Sequence, residues 1–187
     1  GHSFWPEFVC AHCNELVEWR EIEYREGPGA RLDVREIKTR RRASKTIVDE
    51  EQGTSLYRNL TELLGDRWTS NIIALAYHGL VRFEEFHKEL PVATNILSDR
   101  LKLLVDNGIL FKKPYRPSVL RYEYHLTAKG SDLLPYFITL LQWGDNWCNQ
   151  GDGPPMQVIH AACGHTLKGI VRCDHCHQEI TASEVSF

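Results

Sequence analysis

Hydrophobic positions in the middle of the chain recur with helical spacing. Leu56, Leu60, Leu63 and Leu64 share one face before Gly65 breaks the run, which predicts a first amphipathic helix. A second helix fits Trp68 to His78, with Ile72, Ile73, Leu75 and Ala76 as its core face and Gly79 as its stop. A third, short helix fits Phe83 to Leu90, where Phe83, Phe86 and Leu90 stand at i, i+3 and i+7. Pro91 separates it from a fourth, about Ala93 to Asn107, closed by Gly108. Short helices in tandem with a tight connection before the last follow the helix-turn-helix plan.

Turning 100° per residue along the fourth helix sends Leu97, Leu101, Leu104 and Val105 to the core, with Ile96 and Leu103 on its flank. The remaining stripe is Asn95, Ser98, Asp99, Lys102 and Asp106: short hydrogen-bonding groups near the helix start, then a lysine, of the kind that reaches base edges and phosphates. An ordinary solvated face has the same composition. Behind the helix the period changes to two. Ile109–Tyr115 and Leu120–Leu126 read as strands around an Arg116-Pro117-Ser118-Val119 turn, a basic hairpin placed as a wing. A last helix opens at Thr127-Ala128-Lys129-Gly130 and runs to Trp147. Its apolar stripe of Leu133, Leu134, Phe137, Leu140 and Leu141 is wider than one small domain requires, so part of it reads as an oligomer interface.

Length and charge refine this picture. At 187 residues the chain holds one full core plus appendages, and 42% hydrophobic with 25% charged residues is a globular composition. The net charge of −3 hides an asymmetry: residues 94–130 carry seven basic and three acidic side chains, a local +4. That is the electrostatic candidate for a polyanion. Thr69–Val81, a charge-free stretch, is too short to span a membrane, and no signal segment opens the chain, so a cytoplasmic protein is expected. Gly27-Pro28-Gly29-Ala30 and the polar stretch with Arg40-Arg41-Arg42 have linker composition.

Four of the six cysteines form two Cys-x2-Cys pairs, Cys10/Cys13 and Cys173/Cys176, spacing that suits a metal knuckle better than a disulfide framework. Both read Cys-x-His-Cys. Gly1-His2-Ser3-Phe4 falls on Gly164-His165-Thr166-Leu167 with the same step to the first cysteine, so the ends are two copies of one module, the first truncated. Gly1-His2 also fits a cloning remnant, in which case only Phe8–Cys13 carries the repeat. In the second copy His160, Cys163, Cys173 and Cys176 supply two ligand-x2-ligand turns for a closed, structural Zn2+ in a zinc-ribbon-like hairpin module. His165 competes with His160 for the fourth place. Cys10 and Cys13 form an incomplete N-terminal site, and Cys148 reads as a packed thiol.

The run Leu64-Gly65-Asp66-Arg67-Trp68-Thr69, then Arg82-Phe83-x-x-Phe86, Asn95-Ile96-Leu97-Ser98-x-Arg100-Leu101-Lys102, Gly108-Ile109-Leu110, Arg121-Tyr122-x-Tyr124-x-Leu126-Thr127-x-x-Gly130 and Trp143-Gly144 resembles the HxlR family of winged-helix transcriptional regulators. The resemblance covers about residues 54–148. It implies a bacterial or archaeal double-stranded-DNA-binding homodimer, paired through the first and last helices of the winged-helix domain, reading a pseudo-palindromic operator and open to a small-molecule effector. The chain resembles the second half of a tandem member of that family. It departs in having Ala93 where a hydroxyl cap is common and Asp99 where a basic or amide residue often sits. Redox-sensing members use a cysteine near the winged-helix start, and residues 54–147 contain none.

The expected architecture is therefore mainly α with a small β-wing: a partial zinc-ribbon-like module over 1–30, a linker over 31–53, a winged helix-turn-helix over 54–150 and a zinc-ribbon-like module over 151–187. The expected DNA surface comprises Arg67, Thr94, Asn95, Ser98, Arg100, Lys102, Lys112, Lys113, Arg116 and Arg121. The alternative is a winged helix used for protein or ligand interaction. No nucleophile motif, phosphate loop or open metal site suggests an enzyme.

Overall fold

The computed structural model describes residues 3–30, 63–116, 121–148 and 151–181 with Ser183 and Val185. The helix expected from Leu56 (save Leu63 and Leu64), the 31–53 linker with Arg40–Arg42, the wing turn Pro117–Val119, the Arg116 side chain and His2 lie outside the described residues. Internal contacts divide the chain into two units, Asp33–Gly130 and a discontinuous one of Gly1–Leu32 with Ser131–Phe187. The boundary at Gly130 assigns the last helix to the second unit, whereas the sequence pattern places it in the winged helix.

In the first unit, α1 (Arg67–Tyr77), α2 (Phe83–Glu89) and α3 (Thr94–Asp106) precede strands β3 (Leu110–Arg116) and β4 (Arg121–Leu126). Asp66 starts α1, its carboxylate accepting from the backbone N–H of Trp68 and Thr69 at 3.0 Å each. Glu85 starts α2: its Oε2 accepts from the backbone N–H of Val81 and Arg82 at 2.9 and 2.8 Å. Those two donors hold the Glu85 carboxyl below its ordinary range. Ala93 precedes α3 with no side-chain cap. Gly108, at φ 68°, lets the chain reverse at the end of α3 and enter β3.

Ile72, Ile73, Phe86, Leu97, Leu101, Leu104, Ile109 and Leu110 form a sealed core, none of them more than 2% exposed. β3 and β4 pair antiparallel from Leu110↔Leu126 to Arg116↔Arg121, and Arg82 bridges Glu123 beside them, which makes the sheet of a winged helix. Gly130 closes the unit. A Cβ there would lie 2.2 Å from the Ile109 carbonyl oxygen, and its own carbonyl accepts from the Tyr77 hydroxyl at 2.6 Å.

The second unit contains β1 (Pro6–Cys10), β2 (Ile22–Glu26), α5 (Leu134–Trp147), β5 (Met156–His160), β6 (His165–Thr166) and β7 (Gly169–Cys173); the short α4 (Ala128–Ser131) straddles the boundary. The single long last helix expected from Thr127 is thus broken. Pro135 sits in the first turn of α5, a place that suits its missing N–H and forbids continuation from the helix before it. The strands are shared between the chain ends. β1 pairs with β7, and β2 pairs with β5, which pairs with β6, so neither Cys-rich segment folds on itself alone.

Candidate functional site

The winged-helix unit presents the stripe the sequence predicts. Thr94, Asn95, Ser98, Asp99, Lys102 and Asp106 are exposed along α3, while Leu97, Leu101 and Leu104 face inward. On the wing, Lys112 and Lys113 are exposed; Lys112 Nζ lies 5.0 Å from the centre of the Tyr122 ring, which limits its swing. The Tyr115 side chain, and after it Glu84 at 3.4 Å, hold the Arg121 guanidinium more firmly charged than usual. Two expected DNA contacts have other employment. Arg100 makes a two-pronged pair with Asp66, Nε to Oδ1 at 3.0 Å and Nη2 to Oδ2 at 3.1 Å, tying α3 to the start of α1. Arg67 lies over the Trp68 ring at 4.4 Å. Nothing in the spacing of Arg100 disclosed this partner, which stands 34 residues away.

The second unit assembles a cluster of soft ligands. Cys10, Cys13, His160 and Cys163 bring one ligand atom each to within 4.8 Å of one another. Cys10 Sγ to Cys163 Sγ is 4.0 Å, Cys13 Sγ to His160 Nδ1 is 3.3 Å and Cys163 Sγ to His160 Nδ1 is 3.6 Å. A zinc tetrahedron with Zn–S of about 2.3 Å and Zn–N of about 2.0 Å separates its sulfurs by about 3.8 Å and sulfur from nitrogen by about 3.5 Å. The donor set fits.

His160 is fully buried at the end of β5 with Nδ1 on the thiols. Its Nε2 has no hydrogen-bond partner among the described residues and lies 3.8 Å from the Glu21 carboxylate. Burial works against ionising Cys10, but backbone N–H groups of Cys13 and His12 outweigh it and lower its thiol pKa. At Cys13 the backbone at Glu15 favours the thiolate, yet burial and the neighbouring sulfurs of Cys10 and Cys163 push the thiol up. Sulfurs this close compete for negative charge, a competition that a divalent cation relieves.

The grouping expected within the C-terminal module is not the one observed. His160 and Cys163 meet Cys10 and Cys13 because β2 and β7 tie the two ends together, and Cys173 and Cys176 stand outside this cluster. Matching a ligand-x2-ligand turn to its nearest neighbour in sequence could not foresee an exchange between opposite ends of the chain. His165 is exposed and stacks on His12 at 3.4 Å, with its Nδ1 on the Cys163 carbonyl, which leaves the fourth place to His160. Cys148 is exposed rather than packed, since the end of α5 turns it away from the interior.

The model of the HxlR-like helix-turn-helix family matches residues 63–152. An uncharacterized HTH-type transcriptional regulator of Mycobacterium bovis, Mb3122, is 38% identical over 135 residues, 72% of this chain and 85% of its own length. That alignment is longer than the family match and extends beyond it. The HTH-type transcriptional regulator YodB of Bacillus subtilis is 34% identical over 91 residues, 48% of this chain and 81% of its own. Among solved structures, the transcription-factor candidate PA1607 matches with a TM-score of 0.63 and 30% identity, over 73% of this chain and 95% of that one. A second candidate from Pseudomonas aeruginosa, PA1374, matches with a TM-score of 0.53 and 30% identity, over 70% and 88%.

Proposed function

The chain belongs to the HxlR-like helix-turn-helix family of transcriptional regulators, and from that premise we propose that it works as a homodimer on a pseudo-palindromic operator. α3 enters the major groove. Thr94, Asn95 and Ser98 reach base edges, Lys102 a phosphate, and Lys112, Lys113 and Arg121 follow the backbone beside the wing. The observation that carries this reading is the continuous exposure of the polar α3 stripe over a sealed leucine core, followed directly by two exposed wing lysines. Arg100 is a brace for α3 in this reading.

The dimer rests on α5. Tyr136, Leu140, Trp143 and Trp147 are spaced i, i+4, i+7 and i+11 and are 41%, 50%, 57% and 76% exposed, an apolar face at coiled-coil spacing. The first helix, expected to share this interface, lies mostly outside the described residues. Zinc at Cys10, Cys13, His160 and Cys163 is structural: with four protein ligands it has no open position, and it joins the two chain ends that the ribbon strands already pair.

Salt titration of binding to a labelled duplex tests the DNA assignment. Affinity falls steeply with salt, and Lys112→Ala with Lys113→Ala lowers the log–log slope by about 2, about one for each lysine that no longer neutralises a phosphate. Absence of duplex binding at low salt contradicts the assignment and favours a protein-interaction winged helix.

A further inference from the structure

The two Cys-rich ends repeat in three dimensions as they do in sequence. β1 and β7 run antiparallel with Phe8 opposite Val171, and these two residues are equivalents under the offset of 163 that carries Cys10 to Cys173. An approximate twofold therefore passes between them. The backbone hydrogen bonds that shape the two knuckles come in mates. Cys10 N–H donates to the Glu15 carbonyl at 2.9 Å and Cys173 N–H to Gln178 at 3.0 Å; Asn14 donates to Cys10 at 2.8 Å and His177 to Cys173 at 2.9 Å. Val17 donates to Phe8 at 3.0 Å and Ile180 to Val171 at 2.8 Å. Across the ladder, Ala11 donates to Lys168 at 2.8 Å and Asp174 to Trp5 at 3.2 Å. The isolated bridges Val9↔Leu16 and Arg172↔Glu179 obey the same offset. So do the two non-glycine residues with left-handed backbone among the described residues, Asn14 at φ 63° and His177 at φ 56°.

The sulfurs repeat as well. Cys173 Sγ accepts from the backbone N–H of His175 and of Cys176 at 3.4 Å each, the equivalents of the His12 and Cys13 groups that stabilise the Cys10 thiolate. A turn that aims two backbone donors at one sulfur is arranged for a thiolate ligand. The two knuckles differ in cover. Cys13 is half-buried beside His160 and Cys163, whereas its equivalent Cys176 is exposed.

We infer that Cys173 and Cys176 are a second metal-ligating knuckle, a two-thiolate half-site for a zinc-class divalent cation. A His-x2-Cys turn of the kind formed by His160 and Cys163 completes it when another polypeptide segment presents one. The inference rests on the reading of the first cluster as a metal site. Each thiol gives its proton to solvent as the metal–sulfur bond forms, and no electron moves.

Co2+ titration of the reduced chain, followed by thiolate-to-metal charge-transfer absorption, tests it, with a synthetic peptide of residues 154–168 as the completing segment. One tight equivalent and a second, weaker one are expected, and the peptide should tighten the second at least tenfold. Cys173→Ser with Cys176→Ser should abolish the second event and spare the first; Cys10→Ser with Cys13→Ser should do the reverse. Saturation at one equivalent, a second event unchanged in the Cys173/Cys176 variant, or no tightening by peptide overturns the inference. Absence of the first event in the unaltered chain overturns the reading of the Cys10 cluster instead.

Discussion

Asp66 does three things with one carboxylate: it accepts from two N–H groups at the start of α1 and binds the Arg100 guanidinium of α3. Substituting Asp66→Ala removes a cap and an ion pair together and should cost about 2 kcal/mol in chemical denaturation. Arg100→Ala should cost about 1 kcal/mol, because both partners keep some solvent contact, and should leave the salt slope of duplex binding unchanged. A slope reduced by about one with stability intact would return Arg100 to the phosphates. In sequence Arg100 stood among the expected DNA contacts, and Asp66 stood only in the run that resembles the family. Their partnership is a product of helix packing, and periodicity within a single helix carries no trace of it.

Elements were legible where one face had to be buried. α1, α2 and α3 begin and end within about a residue of the apolar pattern, since Ile72, Ile73, Phe86, Leu97, Leu101 and Leu104 leave no alternative phase. The last helix was misread because leucine spacing continues across Pro135, and the cost of a proline within the helix outweighs the pattern. α2 carries a pH-sensitive start. With its carboxyl depressed by the Val81 and Arg82 N–H groups, Glu85 contributes stability that is present above the ordinary carboxylate range and is lost as pH falls through the lowered value. The stability gap between the protein and Glu85→Gln, measured by urea unfolding, should therefore be full at neutral pH and close in acid. A gap independent of pH would mean that the carboxylate charge is not what starts the helix.

At the scale of the whole molecule, the repeat was visible in the residues but its consequence was not. Two Cys-rich ends suggested two separate modules, and only strand pairing between β1 and β7 and between β2 and β5 shows that the ends make one body. Removing metal with a chelator should then melt the ribbon unit while the α-helical circular dichroism of the winged helix persists; loss of both together would show that the winged helix needs the ribbon. Replacing Leu140 and Trp143 by glutamate should convert a dimer into a monomer in light scattering, and should weaken binding to a two-half-site duplex more than to a single half-site. No helix among the described residues is long and apolar enough to cross a membrane. The central claim, that α3 and the wing form one duplex-reading surface, is tested most directly by NMR titration of the labelled protein with duplex DNA. The largest amide shifts should fall on Thr94, Asn95, Ser98, Lys102, Lys112 and Lys113. Shifts concentrated on α2 or on the ribbon, with α3 unmoved, would contradict it.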